Sequence, residues 1–161
     1  MRSLTAARLV LLDFDPIRSE TLARSLVELG SFEIVRIATI ADAAGAGAAD
    51  LFLVEGPSLA ANDEGAGISP NPFAASGAPV ILMLPEPTNE QRRMALRAGY
   101  TAVLAAPVPP RLLYRRIAQL LQNARRARRR AEEMAARDKR VPQREQAAPV
   151  ESGLLANALA E

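Results

Sequence analysis

Three carboxylates follow apolar segments of the chain at positions from which they could act together. Asp13 and Asp15 come just after the run Leu9–Leu12, and Glu55 comes directly after the run Leu51–Val54. The sequence contains no histidine and no cysteine, so it lacks the commonest general base and any thiolate nucleophile. A metal site in this chain would therefore use oxygen ligands alone, which suits magnesium or calcium.

Five short apolar runs predict the strands that would carry these acids. They are Leu9–Leu12, Phe32–Ile37, Leu51–Val54, Val80–Leu84 and Ala102–Ala105. Their nearly continuous apolar character is typical of strands that are covered on both faces of a parallel sheet.

Helix signals lie between the runs. Asp15 precedes a proline and predicts a helix that ends at Gly30, and Thr88 opens a capping box for a helix that ends at Gly99. A weaker helix is expected at 40–48, and a last, extended helix begins near Pro109. The alternation predicts an α/β protein with a flavodoxin-like, doubly wound, five-stranded parallel sheet of order 2-1-3-4-5.

Composition and charge divide the chain into three parts. We expect a domain over 1–123, whose third crossover, 56–78, is rich in Gly, Pro, Ala and Asn where a helix would normally stand, with a short or distorted helix around Asn71–Ser76. Residues 124–140 are expected to form a basic helical extension, and residues 141–161 a disordered tail. From Pro109 to Arg140 there are eleven basic and three acidic residues, against nine basic and fifteen acidic residues elsewhere.

Four blocks in order resemble the receiver (CheY-like) domains of two-component response regulators. They are Leu9-Val-Leu-Leu-Asp13-Phe14-Asp15-Pro16-Ile-Arg18, Asp50-Leu-Phe-Leu-Val-Glu55, Ala78-Pro79-Val-Ile-Leu-Met-Leu84 and Ala98-Gly99-Tyr100-Thr101-Ala-Val103-Leu-Ala-Ala106-Pro107. The resemblance covers residues 8 to about 123. It implies a site at the carboxyl ends of the strands, where such domains bind magnesium and accept a phosphoryl group on an aspartate.

Four of the five site positions that the resemblance implies carry the wrong residue for this chemistry. Asp13 keeps the first acid, but Phe14 replaces the second, which would bind the metal. Glu55 replaces the phosphoacceptor aspartate and is one methylene longer. Leu84 replaces the hydroxyl residue and Ala106 the lysine, so the transferred charge would find neither a donor nor a cation. The interpretation is a degenerate pseudo-receiver.

The remaining acids allow two interpretations each. Glu55 could imitate the phosphorylated state; since no lysine or hydroxyl partner remains, we instead expect a solvated side chain at a disused position. Asp13, Asp15 and Glu55 could hold magnesium. We instead expect Asp15 to cap the helix and Asp13 to be an acid at the end of its strand whose oxygens accept hydrogen bonds within the protein. We therefore predict no metal and no cofactor, and we expect Phe14 and Leu84 to make the pocket apolar.

The last helix and its neighbours are the predicted interaction surface. By resemblance, this surface includes Tyr100, Val103 and Arg111. Leu113, Ile117, Leu120 and Ala124 repeat at alternating spacings of four and three, which predicts a seam for a homodimer. An arginine cluster follows, and it could contact an anion or nucleic acid or dock an acidic protein. It consists of Arg125, Arg126, Arg128, Arg129 and Arg130.

These observations favour a phosphorylation-independent module that binds a protein partner in bacterial signal transduction, without enzymatic activity. A nucleic-acid-associated regulator that uses the arginine cluster is the alternative. No run approaches the roughly 20 apolar residues that cross a bilayer, and the N-terminus lacks a secretory signal pattern. We therefore expect a cytoplasmic protein without membrane contact.

Overall fold

Strands and helices alternate along the chain as the apolar runs predict. The computed structural model describes residues 6–58 and 67–145, with side chains up to residue 140. The elements are β1 (Ala7–Leu12), α1 (Pro16–Leu29), β2 (Phe32–Ile37), α2 (Ala43–Ala46), β3 (Leu51–Glu55), β4 (Val80–Pro85), α3 (Asn89–Arg97), β5 (Ala102–Ala106) and α4 (Pro110–Glu145). Each strand thus covers its predicted run, with at most two additional residues at an end.

The five strands form one parallel sheet of order β2-β1-β3-β4-β5, which confirms the predicted topology. All five residues of β3 are buried, as a central strand with both faces covered requires. One hydrophobic cluster joins the sheet to α1 and α4, and a second covers the opposite face. The carboxyl ends of the strands therefore meet at one edge, where parallel sheets of this kind place their ligands.

The predicted capping residues form the helix ends. The Asp15 carboxylate accepts hydrogen bonds from the backbone N–H groups of Ile17 and Arg18, and α1 ends at Gly30. Thr88 and Gln91 form a reciprocal capping box at the start of α3. A cap of this kind contributes about 1 kcal/mol, so these residues fix where the helices begin.

The third crossover contains no α-helix among its described residues, which are 56–58 and 67–79. One turn of 3-10 helix spans Gly56–Ser58 and another spans Ala74–Ser76. The second turn lies inside the segment for which a short helix was expected. Phe73 anchors it, because its ring stacks on that of Phe52 in β3 at a centroid distance of 4.1 Å.

Polar contacts attach the same segment to the loop before β5. The Asn71 side chain donates a hydrogen bond of 3.1 Å to the Gly99 carbonyl. The buried Tyr100 hydroxyl donates one of 3.0 Å to the Ser69 carbonyl. Burial raises the pKa of Tyr100 to about 12, because the phenolate would lose its hydration.

The α4 helix corrects two predictions. Leu113, Ile117 and Leu120 are buried in the core against the sheet, so the proposed dimer seam is occupied within the chain at these three positions, and only Ala124 of that set is exposed. A repeat of four and three also results when a helix packs on a sheet, and the sequence could not separate the two cases. The helix continues to Glu145, past the predicted start of the tail at residue 141; residues 146–161 lie outside the described part.

Two compact units divide the chain at Ala124, and the second begins at Arg125. In the second unit, every side chain described between Arg125 and Arg140 is exposed. Across 6–58 and 67–145, no helix has both the length and the apolar character that a bilayer crossing requires.

Candidate functional site

Asp13 and Glu55 lie side by side at the carboxyl edge of the sheet. Strands β1 and β3 are neighbours, with Leu12 paired to Val54, so the next residue of each strand reaches the same place. Both acidic side chains are almost fully buried, at 2% and 10% exposure. Two buried carboxylates this close to each other need compensating charge or hydrogen bonds.

Arg18 supplies that compensation from the first turns of α1. Its Nε and Nη2 atoms donate to the two oxygens of Asp13 at 2.8 and 2.6 Å, which is a bidentate pair. Nη2 also lies 3.3 Å from Oε2 of Glu55, and Nη1 lies 3.9 Å from Oδ2 of Asp15. The hydrogen bond to Asp13, together with the charges of Glu55, Asp13 and Asp15, raises the pKa of Arg18, while burial acts in the opposite direction. One guanidinium thus contacts all three strand-end acids.

Ser58 binds the same oxygen of Glu55 that Arg18 contacts. Its backbone N–H and its hydroxyl donate to Oε2 of Glu55 at 3.1 and 2.8 Å. The Ser58 hydroxyl oxygen accepts in turn from the backbone N–H of Phe14 at 3.0 Å. The expectation of a solvated Glu55 without partners is therefore wrong, because the 3-10 turn after β3 brings a hydroxyl and an amide to it.

The acids do not form a metal site in this arrangement. Asp13 accepts from Arg18 and from the backbone N–H of Asp15, while Asp15 accepts from the first turn of α1. Within the described part of the chain, no group of three acidic, histidine or cysteine side chains is placed to hold an ion. The donor set therefore does not fit magnesium, since the guanidinium lies where the carboxylates converge.

Phe14, Leu84 and Ala106 lie in three different environments. Phe14 is 57% exposed, and the Arg18 guanidinium lies over its ring at 5.5 Å from the centroid, so this ring does not make the pocket apolar as expected. Leu84 is half-buried and packs beside Gly56, where an added Cβ would lie 2.3 Å from its side chain. Ala106 lines a cleft at the end of β5.

That cleft has a volume of about 610 Å³ and begins at the acids. Asp13, Arg18 and Glu55 form its polar end. Its other walls are mainly apolar and come from α1, from the ends of β4 and β5, and from the residues before α4. They include Leu22, Met83, Pro85, Ala106, Pro107 and Val108.

The three residues that the resemblance assigned to the predicted interaction surface are only partly exposed. Tyr100 and Val103 are buried in the hydrophobic cluster on one face of the sheet, at 2% and 9% exposure, and cannot reach a partner. Arg111 is exposed at the start of α4. Arg125, Arg126, Arg128, Arg129 and Arg130 are all exposed as well, in the second unit.

Sequence reasoning missed the two residues that complete the site. Arg18 follows Asp15 by three positions in α1, which places both on one helix face near the strand end. That spacing was a usable signal for Arg18. Ser58 had no comparable signal, because its contact depends on the tight turn after β3.

The architecture is that of one class of fold, the receiver domain. A CheY-like response regulator receiver domain from Methanospirillum hungatei JF-1 has a TM-score of 0.60 and 18% identity, covering 76% of this chain and 99% of that chain. A two-component response regulator from Clostridium difficile has a TM-score of 0.58 and 19% identity, covering 72% and 96%. These likenesses confirm the receiver-domain fold.

A third structure of the same fold shows what its strand-end cleft can hold. The receiver domain of a sensor histidine kinase from Pseudomonas aeruginosa PAO1 has a magnesium ion in its active site cleft; its TM-score is 0.53 and its identity 17%, covering 73% of this chain and 99% of that chain. No protein-family model matches this sequence, and a search of curated proteins finds no match either.

Proposed function

We propose that this chain is a receiver-fold module of bacterial signal transduction that binds a protein partner in the cytoplasm without being phosphorylated and without catalysing a reaction. The single observation that carries the proposal is the Arg18 guanidinium bound between Asp13 and Glu55. It gives the buried acids a permanent internal cation. A divalent ion that bound Asp13 and Glu55 together would have to displace this group from between them.

Phosphoryl transfer to Glu55 is disfavoured by what surrounds it. Oε2 already accepts two hydrogen bonds from Ser58 and pairs with Arg18, so in-line attack by this oxygen would require these contacts to break, and only Oε1 is left as an acceptor. Leu84 and Ala106 offer no side-chain donor or cation to a transferred phosphoryl group. Stabilising the developing charge is the main task of a phosphoryl-transfer site, and these residues cannot perform it.

The helices before and after the edge strand β5 carry exposed side chains that a protein partner could contact. Leu96 in α3 is 56% exposed and Leu112 in α4 is 51% exposed, and Arg111 precedes Leu112 in the chain. Arginine is enriched in protein interfaces. Of the residues predicted for the interaction surface by resemblance, Arg111 is therefore available to a partner, whereas Tyr100 and Val103 are buried.

Treatment with a phosphodonor tests whether Glu55 can be phosphorylated. The full chain is incubated with acetyl phosphate and Mg²⁺, and its intact mass is compared with that of the Glu55→Gln variant, which lacks the acceptor carboxylate. We expect both proteins to keep their unmodified mass. A stoichiometric phosphoryl adduct on the wild type that the variant lacks would overturn the proposal.

A second candidate function, contact with nucleic acid, is favoured by the exposed arginines at positions 125–130. Arginine side chains bind phosphate groups strongly, and such binding weakens steeply with salt. The test is binding to a random duplex between about 50 and 200 mM salt. Binding that falls steeply over this range, and that is lost when the five arginines are changed to glutamate, would support this function; no binding at the lowest salt would dismiss it.

A further inference from the structure

The cleft beside the acids has the size and the lining of a small-molecule site. Its volume of about 610 Å³ lies within the range of typical ligand pockets, about 300–1,000 Å³. Leu22 forms part of one wall, Met83 and Ala106 lie at the ends of two neighbouring strands, and Pro107 and Val108 belong to the segment that leads into α4. A ligand that fits this cleft needs an apolar body.

The polar end of the cleft carries excess negative charge. Asp13 and Glu55 contribute two carboxylates to its lining, whereas Arg18 contributes one guanidinium. Asp15, 3.9 Å from Arg18, adds a further negative charge at this end. A ligand group at this end should therefore be a cation.

Glu55 provides a specific acceptor for such a cation. All the hydrogen bonds that it receives from described residues, and its ion pair with Arg18, involve Oε2. Its Oε1 accepts none from residues 6–58 and 67–140. The Glu55 side chain is 10% exposed, and its carboxylate gains more from a charged donor than from a neutral one, because charge-assisted hydrogen bonds are about twice as strong.

We propose that this cleft binds a primary alkylammonium ion, with the ammonium at Oε1 of Glu55 and the alkyl chain along Leu22, Met83 and Ala106. The alkyl chain would contact the apolar walls. The ammonium would balance the one negative charge that remains in the lining after Arg18 balances one of its two carboxylates. A free alkylamine is the occupant; an alkyl carboxylate, which would need Arg18 alone, is disfavoured by the two acids. This site does not depend on whether Glu55 can be phosphorylated, so it stands or falls separately from the proposed function.

Titration of the full, isotope-labelled chain with straight-chain amines tests the proposal by nuclear magnetic resonance. The probes are n-butylammonium to n-octylammonium at pH 7, with the n-alkanols and n-alkanoates of equal length as controls. We expect saturable shifts at residues lining the cleft and a dissociation constant that falls by up to about fourfold for each added methylene. The ammonium ions should bind at least about fivefold more tightly than the alcohols.

Two variants locate the binding site. Glu55→Gln keeps the shape of the side chain and should abolish the preference for ammonium over alcohol. Ala106→Leu should fill the cleft and weaken binding of the whole series at least about tenfold. Ala105→Leu is its matched control, because Ala105 is the exposed neighbour in β5 and does not line the cleft.

Several outcomes would overturn the proposal. They are equal affinity for amines and alcohols, preferential binding of alkanoates, or unchanged affinity in Ala106→Leu. If Glu55→Gln fails to fold, two other results decide whether the cleft is the site. They are the affinities of Ala106→Leu and Ala105→Leu, and the ratio of the dissociation constants of the wild type for amines and for alcohols. A phosphoryl adduct at Glu55 would overturn the proposed function and leave this site untouched.

Discussion

Replacing Arg18 with alanine removes the cation that joins the strand-end acids. Asp13 would lose a bidentate partner, and Glu55 would lose its ion pair while keeping both hydrogen bonds from Ser58. The two carboxylates would remain nearly buried and close to each other. We therefore expect the variant to fold with a lower free energy of unfolding.

The size of this loss in the free energy of unfolding depends on how exposed the side chains of Arg18, Asp13 and Glu55 are. Losing one member of a fully buried ion pair costs about 3–5 kcal/mol, and an exposed pair contributes about 0–1 kcal/mol. The acids are 2% and 10% exposed, but the Arg18 side chain is 46% exposed, so solvent already screens part of the interaction. We expect a loss of about 2 kcal/mol, between these two limits.

Urea denaturation at pH 7, with linear extrapolation of the free energy of unfolding, measures this loss. Arg24→Ala is the matched control, since Arg24 is in the same helix and pairs with Glu20 in a 71% exposed position. It should cost no more than about 0.5 kcal/mol. If Arg18→Ala costs no more than Arg24→Ala, Arg18 does not hold the buried acids and the description of the site is refuted.

Three further predictions concern Phe73, Ser58 and Tyr100. Phe73→Ala should cost about 3 kcal/mol or more in urea denaturation, because it empties a buried site and removes the stack on Phe52; a loss below about 1 kcal/mol would show that the segment does not anchor the sheet face. Ser58→Ala should cost about 1–2 kcal/mol, because Glu55 loses its hydroxyl donor; an unchanged midpoint would contradict this contact. The pKa of Tyr100 is about 12 in the folded chain and about 10 when unfolded, so the free energy of unfolding should fall by up to about 3 kcal/mol as pH rises through this interval. Tyr100→Phe should flatten this alkaline decline, and an equal decline in both proteins would mean that Tyr100 does not cause it.

The fold class and the topology were predictable because strands that are buried on both faces have apolar residues at nearly every position. Runs such as Leu51–Val54 have no polar alternation, which distinguishes a central parallel strand from a half-exposed one. The caps Asp15 and Thr88 then located the helices between the runs. Right-handed crossovers left few possible strand orders, and the simplest of them is the one observed.

Side-chain partners at the site were less predictable, because they depend on distances across elements. The burial of Glu55 follows from the turn that presents Ser58, and neither composition nor periodicity indicates that turn. The role of Arg18 depends on a side chain that folds back over the strand ends from α1. The repeat of Leu113 and Ile117 was interpreted as a dimer seam, although the same spacing serves a helix that packs on its own sheet.

The Arg18 guanidinium already lies between Asp13 and Glu55, where a bound cation would otherwise lie. Titration of the isotope-labelled chain with Mg²⁺, alone and with beryllofluoride, tests by nuclear magnetic resonance whether an added cation can enter this place. We predict that the amide signals of Asp13, Arg18, Glu55 and Ser58 do not shift in a saturable way with either addition. Saturable shifts confined to these residues, with release of the Arg18 side chain from Asp13, would contradict it.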